Sequence, residues 1–151
     1  MRRSMVMAIA LGVANHVSAF GTAQCRLDKA MKAEIAAADA RSWRELFNAY
    51  LDYSVCDDAS IAEGFSDSVG KLLSAEPVRW NELAGFVRRD DRFLGFIVRH
   101  IDETIPATVT DSIEQNAREK CPESARSICQ TVLKACKDLR QLVEEEKDGG
   151  R

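Results

Sequence analysis

Apolar side chains recur every three or four residues along most of the chain, and this spacing limits the fold more than any other feature. Ile61, Phe65, Val69 and Leu72 give one example, since they fall on one side of a helix. No window shows the sustained apolar–polar alternation that is typical of β-strands. We therefore predict an all-α fold, which suits a chain of 151 residues, about one domain in length.

Capping and turn residues divide this pattern into about six or seven short helices. A Ser-x-x-Glu capping box starts at Ser42, Asp58 is placed to cap the next helix, and Pro77 and Pro106 mark further boundaries. Residues 24–38 are good helix formers with only a narrow apolar stripe. Because the connections are short, we expect antiparallel helical hairpins in a single domain, with a solenoid-like stack as the alternative.

Residues 1–19 have the order of a secretory signal peptide. A head with two arginines precedes the apolar run at residues 5–14, and small residues lead to Ala19. The run is shorter than the roughly 17–25 residues that a membrane-spanning helix needs. We predict cleavage after Ala19 or Ala23, a helical domain at 20–143 and a flexible tail at 144–151. The expected location is periplasmic or secreted, with no transmembrane segment after cleavage.

The chain has five cysteines, all beyond the predicted leader. Disulfides are their expected fate after export, and the odd number leaves a thiol free or joins two copies in a disulfide-linked dimer. Cys129 and Cys136 cannot pair, because their Cα atoms would lie roughly 10 Å apart along one helix and a disulfide needs about 4.4–6.8 Å. We favour Cys121–Cys129, with Cys56 to either of them as the competing pair, and Cys25 is the remaining candidate.

His100 is the single histidine beyond the leader, so one chain cannot form a multi-histidine metal site. It shares a helix face with Phe96 and Ile97, which predicts a core-edge histidine hydrogen-bonded to a carbonyl or carboxylate. A pH-sensing role beside Asp102 or Glu103 and a Cys–His catalytic pair are the functional alternatives. We expect no cofactor, because the chain has no Gly-rich phosphate loop and no GxSxG, HExxH or CxxC motif.

Four carboxylates form the most distinctive run of the chain: Asp57, Asp58, Glu63 and Asp67. Their spacing does not match a calcium-binding loop. We interpret them as helix caps and a solvated helix face. The alternative is a carboxylate-dependent enzyme, because two carboxylates can serve as general acid and general base.

A group of arginines follows this run: Arg88, Arg89, Arg92 and Arg99. Asp and Glu residues are interspersed with them, which favours surface ion pairs worth about 0–1 kcal/mol each. The alternative is a docking patch for an acidic partner. The net charge of −3 and the predicted export argue against nucleic acid as a partner.

Three segments carry a resemblance to a known group: WRELF…CDDASIAEGFSDSV within residues 42–69, FLGFIVRHID and CPESARSIC. They resemble uncharacterised small exported helical proteins of proteobacteria. The resemblance implies a location in the bacterial envelope and brings no catalytic residue with it.

These observations predict a non-catalytic, exported helical module that binds a ligand or an envelope protein. An envelope inhibitor or immunity protein is one alternative, in which the arginines, the spare cysteine and an exposed apolar helix face would contribute to the contact. The carboxylate-dependent enzyme is the other alternative.

Overall fold

A computed structural model describes residues 25–149, so the predicted leader and both candidate cleavage points lie outside the described residues. Within this range the chain forms seven α-helices and no strand, as predicted. The helices are α1 (Leu27–Ala38), α2 (Trp43–Tyr53), α3 (Ala59–Ser74), α4 (Trp80–Val87), α5 (Arg92–Arg99), α6 (Ala107–Glu119) and α7 (Arg126–Gly149). Single 3₁₀ turns at Ser54–Cys56, Pro77–Arg79 and Glu123–Ala125 follow α2 and precede α4 and α7.

The helix starts follow the capping residues found in the sequence. The Ser42 hydroxyl accepts a hydrogen bond from the Glu45 backbone N–H at 3.2 Å, and the Glu45 carboxylate accepts one from the Arg41 N–H at 2.8 Å. The Asp58 carboxylate caps α3 by accepting from the Ala59 N–H at 2.8 Å. Ala59 itself has a φ of 47°, a conformation that favours glycine.

The last helix is longer than its pattern suggests. We expected it to end near Val143, but α7 continues to Gly149. Glu and Lys at residues 144–147 are good helix formers, so their charge does not end the helix. These residues are exposed, and the division of the chain into leader, domain and tail stays a prediction.

The core joins helices that are distant in sequence, because α3 packs against both α1 and α6, and α6 packs against α7. Trp43, Trp80, Phe65, Phe93 and Phe96 are its largest fully buried side chains. Several aromatic rings meet with centroids about 5 Å apart, close enough for favourable edge and tilted contacts. This cluster fixes α5 against α2 and α3.

Candidate functional site

The ring of His100 lies at the C-terminal end of α5, between three elements. The residue is 3 % exposed, and its ring contacts Phe65 of α3 and Phe96 of α5. Its Nε2 atom lies 3.2 Å from Asp57 Oδ2, just before α3, and its Nδ1 atom lies 3.1 Å from Ser66 Oγ. The prediction that His100 is a core histidine beside a carboxylate agrees with this position.

Asp102 reaches the same network through a serine. The hydroxyl of Ser66 lies 2.6 Å from Asp102 Oδ2, and the other oxygen of Asp102 accepts from the backbone N–H of Thr104 at 3.0 Å. The sequence drew attention to Asp102 as a neighbour of His100, but Ser66 stands between them. The sequence did not single out Ser66, because nothing around it indicates that this polar side chain is buried.

Ser66 has a single hydroxyl proton, and the short contact to Asp102 is typical of an O–H donating to a carboxylate. The Ser66 oxygen also lies 3.1 Å from the carbonyl oxygen of Ala62, one turn back in α3. The two nitrogens of the His100 ring face Ser66 Oγ and Asp57 Oδ2. The ring therefore bridges Ser66 and Asp57.

Asp57 lies between His100 and Arg99, which both contact its Oδ2 atom. Burial alone would raise the pKa of Asp57, but hydrogen bonds and attraction from His100 and Arg99 outweigh burial and hold the pKa below its usual range. The Arg99 guanidinium lies 3.4 Å from Asp57 Oδ2 on the solvent side. The carboxylate is thus held in its ionised form by His100 and Arg99.

This network combines Ser, His and Asp residues, but it lacks the geometry of a nucleophilic triad. A triad needs an unprotonated histidine nitrogen to accept the serine proton, and it needs a serine that reaches substrate. Here Ser66 is fully buried, and its proton is directed at Asp102. The arrangement ties the start of α3 to the end of α5, which is a structural task.

The four carboxylates of the distinctive run do not meet in one place. Asp57 faces His100, and Asp58 caps α3. Glu63 and Asp67 line a cleft of about 280 Å³ between α3 and the α5–α6 connection, where Asp67 is paired with Lys71. The structure therefore places two of the four acids along one cleft and gives the other two structural partners.

The arginine group is exposed and largely engaged within the chain. Arg92 forms an ion pair with Asp90 at 3.0 Å, and Arg99 pairs with Asp57. The Arg89 guanidinium lies 5.7 Å from the centre of the Phe86 ring, and Arg88 is exposed at the end of α4. The ion pairs of Arg92 and Arg99 match the surface interpretation, whereas Arg89 contacts an aromatic ring.

The cysteines form two bonds within the chain. Cys121–Cys129 is present, as favoured, while the competing pairs of Cys56 with either residue are wrong, because Cys56 is bonded to Cys25. The contact between α1 and the turn that carries Cys56 brings this pair together, and local spacing could not reveal it. Cys136 is free and fully buried. A dimer linked through an odd cysteine stays a prediction, and for Cys136 it would require the thiol to leave the core.

The first helix packs through its small residues. Ala33 and Ala37 are fully buried, and Ala37 faces Gly64 of α3. A Cβ added at Gly64 would lie 3.3 Å from the Cβ of Ala37 and 3.2 Å from the backbone nitrogen of Ala38. The two helices therefore approach so closely that large side chains cannot fit between them.

The large apolar side chains of α1 consequently face away from the core. Leu27, Met31 and Ile35 are 79 %, 63 % and 65 % exposed, and they follow one another at four-residue intervals. We call these three residues the α1 apolar face. The other large exposed apolar residues among those described lie on α2 and the turn after it, on the turn before α4 and on α7: Leu51, Val55, Val78 and Leu142.

Two contacts anchor the N-terminal end of α1. The Cys25–Cys56 disulfide fixes the chain two residues before α1 begins, and the Lys29 ammonium lies 5.9 Å from the centre of the Tyr53 ring. Scattered apolar residues are common on protein surfaces, whereas an aligned row on an anchored helix is typical of a contact surface. The sequence showed this stripe but not which way it points.

Two further properties concern residues 25–149 as a set. No helix in this range combines the length and the apolar character needed to cross a bilayer. Nor do three or more His, Cys, Asp or Glu side chains in this range gather in a way that could hold a metal ion.

Comparison with family models, with curated proteins and with solved structures gives no match to this chain.

Proposed function

We propose that this protein is an exported, non-catalytic interaction module that binds another protein through the α1 apolar face. The observation that carries the proposal is the orientation of α1, which buries alanines and exposes Leu27, Met31 and Ile35. Exposing these side chains to water is unfavourable by about 25 cal/mol for each Å² of apolar surface. Covering them with another apolar helix or groove would recover that free energy.

Export is supported by the leader pattern in the sequence and by the two disulfides within the chain. Disulfides of this kind persist in oxidising compartments such as the bacterial periplasm. The expected mature chain begins at Phe20 or Gln24. The intact mass of the exported protein tests this point, and a full-length mass with all thiols reduced would contradict it.

Site-specific photo-cross-linking tests the binding role. A photo-reactive amino acid in place of Met31, in cells that export the protein, is expected to give a discrete cross-linked product. The same amino acid in place of Gln130, an exposed residue of α7, is the matched control and is expected to give none. If Met31 and Gln130 give equally weak, diffuse products, the α1 apolar face does not bind protein and the proposal fails.

A further inference from the structure

Charged residues flank the α1 apolar face. Exposed Glu34 lines the same surface depression as Met31 and Ile35. One edge of the face carries opposite charges one helical turn apart. Asp28 and Lys32 are both exposed and lie beside Leu27 and Met31. Within the chain, Asp28 is 3.5 Å from Arg26, an ion pair between side chains that are 75 % and 86 % exposed. Such an exposed pair contributes little and does not prevent Asp28 from pairing elsewhere.

This charge pattern is complementary to itself when the helix is turned end to end. In an antiparallel pair of α1 helices related by a twofold axis at the level of residue 30, Asp28 of one copy lies level with Lys32 of the second copy. The same pairing occurs again on the other side of the axis. At 1.5 Å rise per residue, the apolar residues of the two copies then alternate along the contact about every 3 Å.

We propose that the α1 apolar face binds a second copy of this chain, in an antiparallel α1–α1 contact about that twofold axis. This inference rests on the proposed function and names the partner of the same surface. Each copy contributes the same residues, as twofold symmetry requires. The apolar side chains supply the driving force, and the Asp28–Lys32 pairs fix the direction and register of the helices.

The size of the contact determines its strength. A stable dimer buries about 800 Å² on each partner, and three side chains on one helix provide less than that. The dimer is therefore reversible, and its population rises with protein concentration. The α1 helix needs no rearrangement to form it, because the Cys25–Cys56 bond already fixes its start.

Sedimentation equilibrium of the purified exported protein, from low micromolar to ~1 mM, tests the contact by charge reversal. Asp28→Lys and Lys32→Asp each place four like charges along the contact, and we expect each to raise the dimer Kd about tenfold or more. The double variant Asp28→Lys/Lys32→Asp restores opposite charges and is expected to return the Kd to within about threefold of the original. Met31→Lys is expected to abolish the dimer.

The exposed Lys134–Asp138 pair on α7 provides the matched control. Lys134→Asp changes the net charge as much as Lys32→Asp does, and it is expected to leave the Kd unchanged. Circular dichroism of each variant checks that the fold is retained. A chain that stays monomeric up to ~1 mM overturns this inference. So does a dimer whose Kd is unchanged by the charge reversals at residues 28 and 32. If Met31 nevertheless cross-links to a different protein in cells, the proposed function stands and only the choice of partner is wrong.

Discussion

Because Gly64 has no side chain, α1 can pack closely against α3, and this packing leaves the large apolar residues of α1 exposed. The two helices are so close here that a Cβ added at Gly64 would contact Ala37 and the backbone of Ala38. We expect Gly64→Ala to destabilise the protein by about 1–3 kcal/mol through overpacking, despite the better helix propensity of alanine. Urea unfolding at 25 °C measures this change.

Gly95 in α5 is the matched control, because an added Cβ there meets nothing within 4 Å. Gly95→Ala is expected to stabilise the protein by about 0.5–1 kcal/mol, as alanine does in an exposed helix interior. If the two variants change the free energy of unfolding in the same direction, the close contact between α1 and α3 is not as described.

Asp57 makes the stability of the protein depend on acidity. Its pKa in the folded state is below its unfolded value, which is about 3.9. Its contribution is therefore complete above the unfolded pKa and is lost as the pH falls through the folded pKa. We expect Asp57→Asn to cost about 1–3 kcal/mol at pH 7.

The same variant should also lose part of the acid-induced decrease in stability below about pH 4. Asp52→Asn, at an exposed position on α2, is expected to keep that decrease. Unfolding curves between pH 7 and pH 2 measure both effects. If the free energy of unfolding of Asp57→Asn depends on pH in the same way as that of the unchanged protein, then Asp57 is not held by His100 and Arg99.

At the scale of elements, the two disulfides differ mainly in the length of chain that they close. Cys25–Cys56 spans 31 residues and Cys121–Cys129 spans 8, and each bond joins a half-buried cysteine to a buried one. Loop-closure entropy then predicts that removing the longer bond costs about 1 kcal/mol more. We expect this order for Cys25→Ala/Cys56→Ala against Cys121→Ala/Cys129→Ala.

Thermal or urea unfolding of the two double variants measures the difference, and hydrogen exchange locates it. Loss of the first bond should increase exchange along α1, whereas loss of the second should leave α1 protected. Equal protection of α1 in both variants would mean that the disulfide does not anchor the helix.

Helix positions were largely predictable, because local chemistry sets them. Ser42 and Asp58 start helices through hydrogen bonds to residues one to three positions away, and the prolines limit others in the same local way. The direction of α1 was not predictable, since it depends on Gly64 in a different helix. The pairing of Cys25 with Cys56 was missed for the same reason, as both depend on how α1 packs.

For the molecule as a whole, the core residues of helices such as α3 and α5 followed from apolar spacing, but those of α1 and the polar network inside the core did not. His100 and Asp57 were both noted, yet their contact joins residues 43 positions apart, and Ser66 completes it from a third element. No spacing rule relates positions that far apart. The surface that we propose to be functional depends in turn on how the whole core is packed.

The reactivity of the Cys136 thiol tests how tightly that core is packed. Burial, with a smaller effect of nearby Glu114, raises the pKa of its thiol to about 12. The thiol is therefore protonated and enclosed at pH 8, and thiols in that state react slowly. We expect a non-reducing alkylation experiment to modify no cysteine in the native protein and one cysteine per chain in guanidinium. Rapid modification of the native protein would show that α7 does not seal the core.

The most direct measurement concerns Met31, the one methionine among residues 25–149. Peroxide oxidation of the purified protein, followed by peptide mass analysis, reports how far this side chain is open to solvent. The structure predicts that Met31 in dilute native protein is oxidised nearly as fast as in unfolded protein. The proposed dimer predicts slower oxidation at concentrations where the α1 apolar face is covered. Strong protection of Met31 at every concentration would mean that α1 turns its large side chains inward, and it would contradict the account of this surface.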